Sequence, residues 1–144
     1  MINYTVGFLF SDNLENLILI HRKKADWQQG LLNGIGGKIE ANEDPYDAMK
    51  REFEEEAGLY IDGWDEFATI RHNDDWKIHV FRNTAPLGLI EACETRCPEE
   101  GTIINCFIKY GVPDGTIENL KWLIPLALSN DSGIPLDINE RRKR

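Results

Sequence analysis

Residues 33–59 combine a glycine-broken apolar stretch, Asn33-Gly34-Ile35-Gly36-Gly37-Lys38, with an acidic segment carrying glutamates at 52, 55 and 56. Local rules make the acidic part a helix. Asp44 is a good N-cap and Pro45 suits the first helical position, where its missing N–H is no loss. Asp47 adds negative charge in the first turn, where the helix dipole favours it. Tyr46, Met49, Phe53 and Ala57 recur at helical spacing and form the buried stripe. Gly58 ends the helix in a left-handed cap. Offsets of three and four bring Glu52, Glu55 and Glu56 onto one face, with Glu54 pointing away. Arg51 lies one turn from both Asp47 and Glu55 and is placed to hold a carboxylate. Like charges so arranged weaken a bare helix. A hard divalent cation reverses that penalty, because it takes oxygen ligands and draws carboxylates together. A solvated acidic face is the alternative for the helix taken alone. The glycines in front permit close backbone approach. Strand, glycine loop and acidic helix together make a site for a metal-bound polyphosphate.

The remainder reads as an alternating α and β chain of one domain, residues 1–138, with a flexible basic tail at 139–144. A chain of 144 residues is long enough to bury a real core. Tyr4, Val6, Phe8 and Phe10 alternate with smaller or polar residues and mark a half-buried strand. Residues 17–20 form a continuous apolar run, as in a fully buried strand. Residues 67–71 and 77–82 read as a hairpin around Asn73-Asp74-Asp75. Residues 85–100 leave loop and short helix open, and 103–108 form another strand. Residues 117–129 read as a helix that Pro125 kinks or restarts.

A net charge of −9 speaks against a general nucleic-acid binder, which carries a basic footprint. The apolar runs are too short to span a membrane, and the start has no positive leader region. Three cysteines without paired-motif spacing read as reduced thiols of a cytoplasmic protein.

Residues 37–59 resemble the Nudix box: glycine, five residues, glutamate, seven residues, then Arg-Glu-apolar-any-Glu-Glu-any-Gly-apolar. Gly37, Glu43, Arg51, Glu52, Glu55, Glu56 and Gly58 occupy its fixed positions, with Phe53 where the family usually has an aliphatic residue. The resemblance implies an α/β/α sandwich with a mixed sheet between helices. It implies hydrolysis of a nucleoside diphosphate linked to another group, with Mg2+ as cofactor and Mn2+ as a substitute. Glu55 and Glu56 become direct metal ligands, joined by Glu52 and the Gly36 carbonyl. Glu52 is the favoured general base, Arg51 orients the carboxylates, and Glu43 is a structural residue or lies in the outer shell of the metal. A further ligand often comes from a later loop, and here Glu100 is favoured over Glu99.

Residues 23–38 also resemble the branch that hydrolyses oxidised purine nucleoside triphosphates such as 8-oxo-dGTP. By that resemblance Lys23 and Lys38 face phosphate, Trp27 walls the base pocket and Asn33 hydrogen-bonds the purine edge. An amide suits that edge because it both donates and accepts. A turn-stabilising role for Asn33 and a loop-anchoring one for Trp27 are the alternatives. Near the end, Glu118 and Asn119 stand where the branch carries two acidic residues that read the base. An amide in place of one carboxylate loosens the expected preference for oxidised guanine. Trp122 stacks on the base or packs in the core. The expected partner is a small nucleotide, on a monomer or homodimer, without membrane or duplex nucleic acid. Rival substrates are ADP-ribose, dinucleoside polyphosphates and capped RNA ends, and a nucleotide sensor without turnover is the rival of another class.

Overall fold

The alternating stretch at the start becomes β1 (Ile2–Ser11), the strand around which the others assemble. The computed structural model describes residues 1–23, 30–129 and 136–140. Along one side β1 runs parallel to β6 (Trp76–Ala85), from Ile2 opposite Trp76 to Ser11 opposite Ala85. On its other side it first meets β2 (Asn16–Arg22), with Leu9 opposite Ile18 and Phe10 opposite Leu17. Those two strands then part, and two short strands fill the wedge. β3 (Leu32–Asn33) pairs with β2, and β4 (Ile35–Lys38) pairs antiparallel with β1 from Gly7 to Tyr4. This wedge places the glycine strand directly under the acidic helix.

β5 (Asp65–His72) forms the expected hairpin with β6, β7 (Gly101–Phe107) is antiparallel to β2, and β8 (Leu136–Asn139) is parallel to β5. Parallel and antiparallel pairings coexist in one eight-stranded sheet. The continuous apolar run in β2 has its physical cause here, because both faces of that strand are covered. Leu17 and Leu19 face one core, and Ile18 and Ile20 face the other. The second core is closed by α1 (Pro45–Ala57) and α2 (Leu87–Ala92), through Met49, Phe53, Ala57 and Ile90. Each of Met49 and Phe53 is fully buried, which contributes about 2 kcal/mol per side chain. The opposite core is closed by α3 (Leu120–Leu128), through Leu120, Leu123, Ile124 and Ala127. The result is the expected α/β/α layering. No helix among the described residues is long and apolar enough to cross a membrane.

One boundary differs from expectation. α3 begins at Leu120 rather than near residue 117: the Leu120 N–H donates to Ile117 O at 3.1 Å and the Lys121 N–H to Glu118 O at 3.2 Å, turns that lead into the helix. Pro125 lies inside α3, which continues through it to Leu128. The stretch left open at 85–100 contains α2 as a short helix. All three cysteines are free. Of the basic tail, residues 141–144 lie outside the described residues.

Candidate active site

α1 is held at both ends by its own sequence. Asp44 Oδ1 accepts from the Asp47 N–H at 2.8 Å, and Gly58 closes the helix at φ 81° with its N–H donating to Glu54 O. With Met49 and Phe53 locked into the core, the face carrying Glu52, Glu55 and Glu56 is turned toward β4. Gly36 approaches β1 so closely that a Cβ there would lie 1.9 Å from Thr5 O. At Gly37 an added Cβ would instead lie 2.7 Å from Glu52 Oε1, so this glycine makes room for the carboxylate itself.

Two arginines hold the acidic face. Arg51 grips Glu43 with a fork, Nε to Oε2 at 2.7 Å and Nη2 to Oε1 at 2.8 Å. Its Nη1 reaches Glu52 Oε1 at 2.9 Å and Glu55 Oε2 at 3.4 Å, and Nη2 also donates to Lys38 O at 3.2 Å. The fork holds the Glu43 carboxyl below its ordinary range. Asp47 pairs with Lys50 at 3.5 Å rather than with Arg51. Arg51 therefore ties the loop before α1, the end of β4 and two carboxylates into one unit. Arg51→Lys retains the charge and loses the fork. It is expected to lower stability by about 2 kcal/mol, the scale of a charge-assisted hydrogen bond. It should also lower kcat about tenfold through a displaced Glu52. Thermal melts and steady-state kinetics check the two effects.

The second arginine was invisible as a site residue from sequence. Arg22, at the end of β2, donates through Nη1 to Glu56 Oε1 at 3.1 Å and through Nη2 to Gly36 O at 3.1 Å. Glu56 is only 5% exposed, and its Oε2 has no hydrogen-bond partner among the described residues. Burial pushes the Glu56 carboxyl up to about 7; Arg22 opposes this, and Glu52 and Glu100 add to it. Burial also raises Glu52, against the pull of Arg51.

These features fit a divalent cation. Glu52, Glu55, Glu56, Glu100 and the Gly36 backbone line one cleft and supply only oxygen donors, which a hard cation prefers. The buried Oε2 of Glu56, without a hydrogen-bond partner among the described residues, is an oxygen that such a cation would satisfy. Among the described residues no group of three or more His, Cys, Asp or Glu side chains stands close enough together to hold a metal ion as it is.

The cleft, of about 730 Å³, continues from the carboxylates into a mostly apolar hollow under α3. Tyr4, Val6, Ile70, Trp76, Ile78, Ile117 and Leu123 wall it, and Asn33 and Asn119 contribute amides. Asn33 Oδ1 accepts from the Gly34 N–H at 2.7 Å, as a turn-stabilising asparagine does. Asn119 Oδ1 is buried without a hydrogen-bond partner among the described residues. Trp76, which the sequence did not single out, lies stacked on His72 at 5.3 Å between centroids. Lys38 and Glu99 also line the cleft. Glu118, Trp122 and Lys23 are not brought to its wall: Trp122 is 39% exposed, and Glu118 and Lys23 are exposed as well. Trp27 lies outside the described residues.

The model of the NUDIX domain matches residues 1–132. The chain belongs to the NUDIX family. It is accordingly a Nudix hydrolase, in a family that cleaves nucleoside diphosphate-linked substrates and generally uses divalent cations. Solved structures share the fold at low identity. A MutT NUDIX hydrolase from Burkholderia pseudomallei superposes with a TM-score of 0.68 at 21% identity, covering 86% of this chain and 94% of that one. A NUDIX hydrolase from Nitrosomonas europaea gives 0.70 at 18%, covering 96% and 79%. The NUDIX domain of Shewanella oneidensis NrtR, complexed with ADP ribose, gives 0.61 at 14%, covering 73% and 71%.

Proposed function

We propose that this Nudix hydrolase is a Mg2+-dependent pyrophosphohydrolase that cleaves a purine nucleoside triphosphate, oxidised or otherwise modified, to the monophosphate and pyrophosphate. One observation carries the reading. A single cleft joins the α1 carboxylates to an apolar hollow that offers two side-chain amides, Asn33 and Asn119. Polyphosphate chemistry belongs at one end of such a cleft and base recognition at the other.

Glu52, Glu55, Glu56, Glu100 and the Gly36 carbonyl would hold the cation. When bound, it neutralises polyphosphate charge and makes a water more acidic. Glu52 takes the proton of the attacking water, a task suited to a carboxyl that burial raises. The water oxygen bonds to phosphorus, the P–O bond to the leaving group breaks, and its electrons stay with the departing phosphate. Arg51 keeps Glu52 aimed by its 2.9 Å hydrogen bond. Lys38, at the rim of the cleft, receives phosphate charge. The base enters the hollow, where Trp76 and the aliphatic wall cover its faces and the two amides meet its edge.

ADP-ribose is the second reading, supported by the ADP ribose complex of the Shewanella NUDIX domain. Product analysis on dGTP, 8-oxo-dGTP, the other dNTPs, ADP-ribose, diadenosine polyphosphates and capped RNA separates the two. Pyrophosphate with a purine monophosphate as the fastest output supports the first, and AMP from ADP-ribose the second. Asn119→Ala is expected to lower kcat/KM for the preferred purine nucleotide about tenfold to a hundredfold, since it removes an amide contact to the base. It should leave hydrolysis of a pyrimidine nucleotide nearly unchanged. Equal loss on both would remove Asn119 from base recognition.

A further inference from the structure

Arg22 lies where β1 and β2 have parted and β4 fills the gap, and its side chain is only 12% exposed. Its guanidinium spans two oxygens on different elements, Glu56 Oε1 on α1 and Gly36 O on β4, each at 3.1 Å. Those are two of the oxygens that the reading above assigns to the divalent cation. A guanidinium and a cation compete for the same lone pairs, and their positive charges repel strongly at such short range. Without the cation, Arg22 gives buried Glu56 a counter-charge and bridges the helix to the glycine strand. With the cation, both functions pass to the metal and the guanidinium is surplus.

Arg22 also lines the cleft into which the polyphosphate must come. A guanidinium is weakly hydrated, keeps its charge and presents a planar fork that matches phosphate oxygens. We propose that Arg22 is a displaceable counter-ion: it holds Glu56 and the Gly36 carbonyl in the cation-free enzyme, and once a divalent cation takes those oxygens it turns to clamp the polyphosphate. This inference rests on the metal-dependent reading. It makes cation and polyphosphate binding mutually reinforcing, because each favours the released arginine. Arg22 thereby becomes a positioning residue in one state and an anion-binding residue in the other.

The direct test is NMR of the protein labelled with 15N- and 13C-arginine, with Arg22→Lys assigning the Arg22 signals. In the cation-free protein the two anchored nitrogens restrict rotation of the guanidinium, so two separate Nη resonances are expected. Saturating Mg2+ should merge them into one, and inorganic pyrophosphate added with Mg2+ should separate them again at new positions. In parallel, electron paramagnetic resonance follows the binding of Mn2+ alone. Arg22→Met should bind Mn2+ about tenfold more tightly than wild type, and should lose the tightening that pyrophosphate produces. Two Nη resonances that persist unchanged at saturating Mg2+ overturn the inference. If Mn2+ nevertheless binds, and Glu56→Gln abolishes that binding, the metal-dependent reading stands without the arginine exchange. If neither cation binds wild type with or without pyrophosphate, both fall together.

Discussion

Glu56→Gln is expected to lower kcat by about a thousandfold or more while the protein still folds, because the amide keeps the side chain's shape and removes an anionic ligand. The more telling result lies in stability. Burial raises the Glu56 carboxyl from its ordinary 4.5 to about 7. The folded protein therefore holds that proton more tightly than the unfolded chain does. The resulting stabilisation is fully present below about 4.5, is lost as pH rises through about 7, and is absent above. A difference of this size corresponds to about 3 kcal/mol. Cation-free wild type should thus melt at a lower temperature at pH 8 than at pH 5. Glu56→Gln, which carries no titrating group there, should show much less of this decline.

Mg2+ adds the decisive arm. It binds the ionised carboxylate, so it should stabilise wild type strongly at pH 8, weakly at pH 5, and Glu56→Gln hardly at all. Equal stabilisation of both proteins at pH 8 would take Glu56 out of the metal site. At 5% exposure an ionised Glu56 is costly to stability, and the proposed cation would offset that cost.

The residues that could be read from sequence are those whose partners are local. Asp44, Pro45 and Gly58 act on their own helix, and Met49, Phe53 and Ala57 follow its period, so α1 and its acidic face emerge from neighbouring residues alone. Arg22 could not be found this way. Its partners lie 14 and 34 residues away and meet it only because β1 and β2 diverge around β4. β8 was missed for a different reason: Leu136-Asp137-Ile138-Asn139 does alternate apolar and polar, but the run is only 4 residues long and mostly exposed, too short to stand out as a strand. Trp122 is an instructive case. The buried stripe of α3 runs through Leu120, Leu123, Ile124 and Ala127, and helical spacing puts position 122 away from that stripe. That placement was available from the pattern alone. Trp76 was not, since its stacking partner His72 and the hollow it walls are products of the hairpin.

Adjacent glycines offer the sharpest separation of fold from chemistry. At Gly36 an added Cβ would lie 1.9 Å from Thr5 O, 2.7 Å from Thr5 C and 2.8 Å from Val6 Cα, all of them backbone. β1 cannot yield, because it is paired with β6 along its whole length on the other side. Gly36→Ala should therefore lose about 3 kcal/mol, the upper range for overpacking, or about 10 °C in Tm. At Gly37 the added Cβ would meet only the end of the Glu52 side chain, at 2.7 to 2.8 Å. That end can swing away, so Gly37→Ala should keep its Tm within a few degrees, about 1 kcal/mol. The displaced Glu52 is then no longer aimed at the water, and a misplacement of about 1 Å costs on the order of a hundredfold in kcat. One methyl group is expected to damage the scaffold, and with it the Gly36 carbonyl, at position 36, but the reaction alone at position 37. Thermal melts and kcat measured on both variants decide it: a Gly37→Ala that keeps both its Tm and its full kcat would count against a part for Glu52 in the reaction.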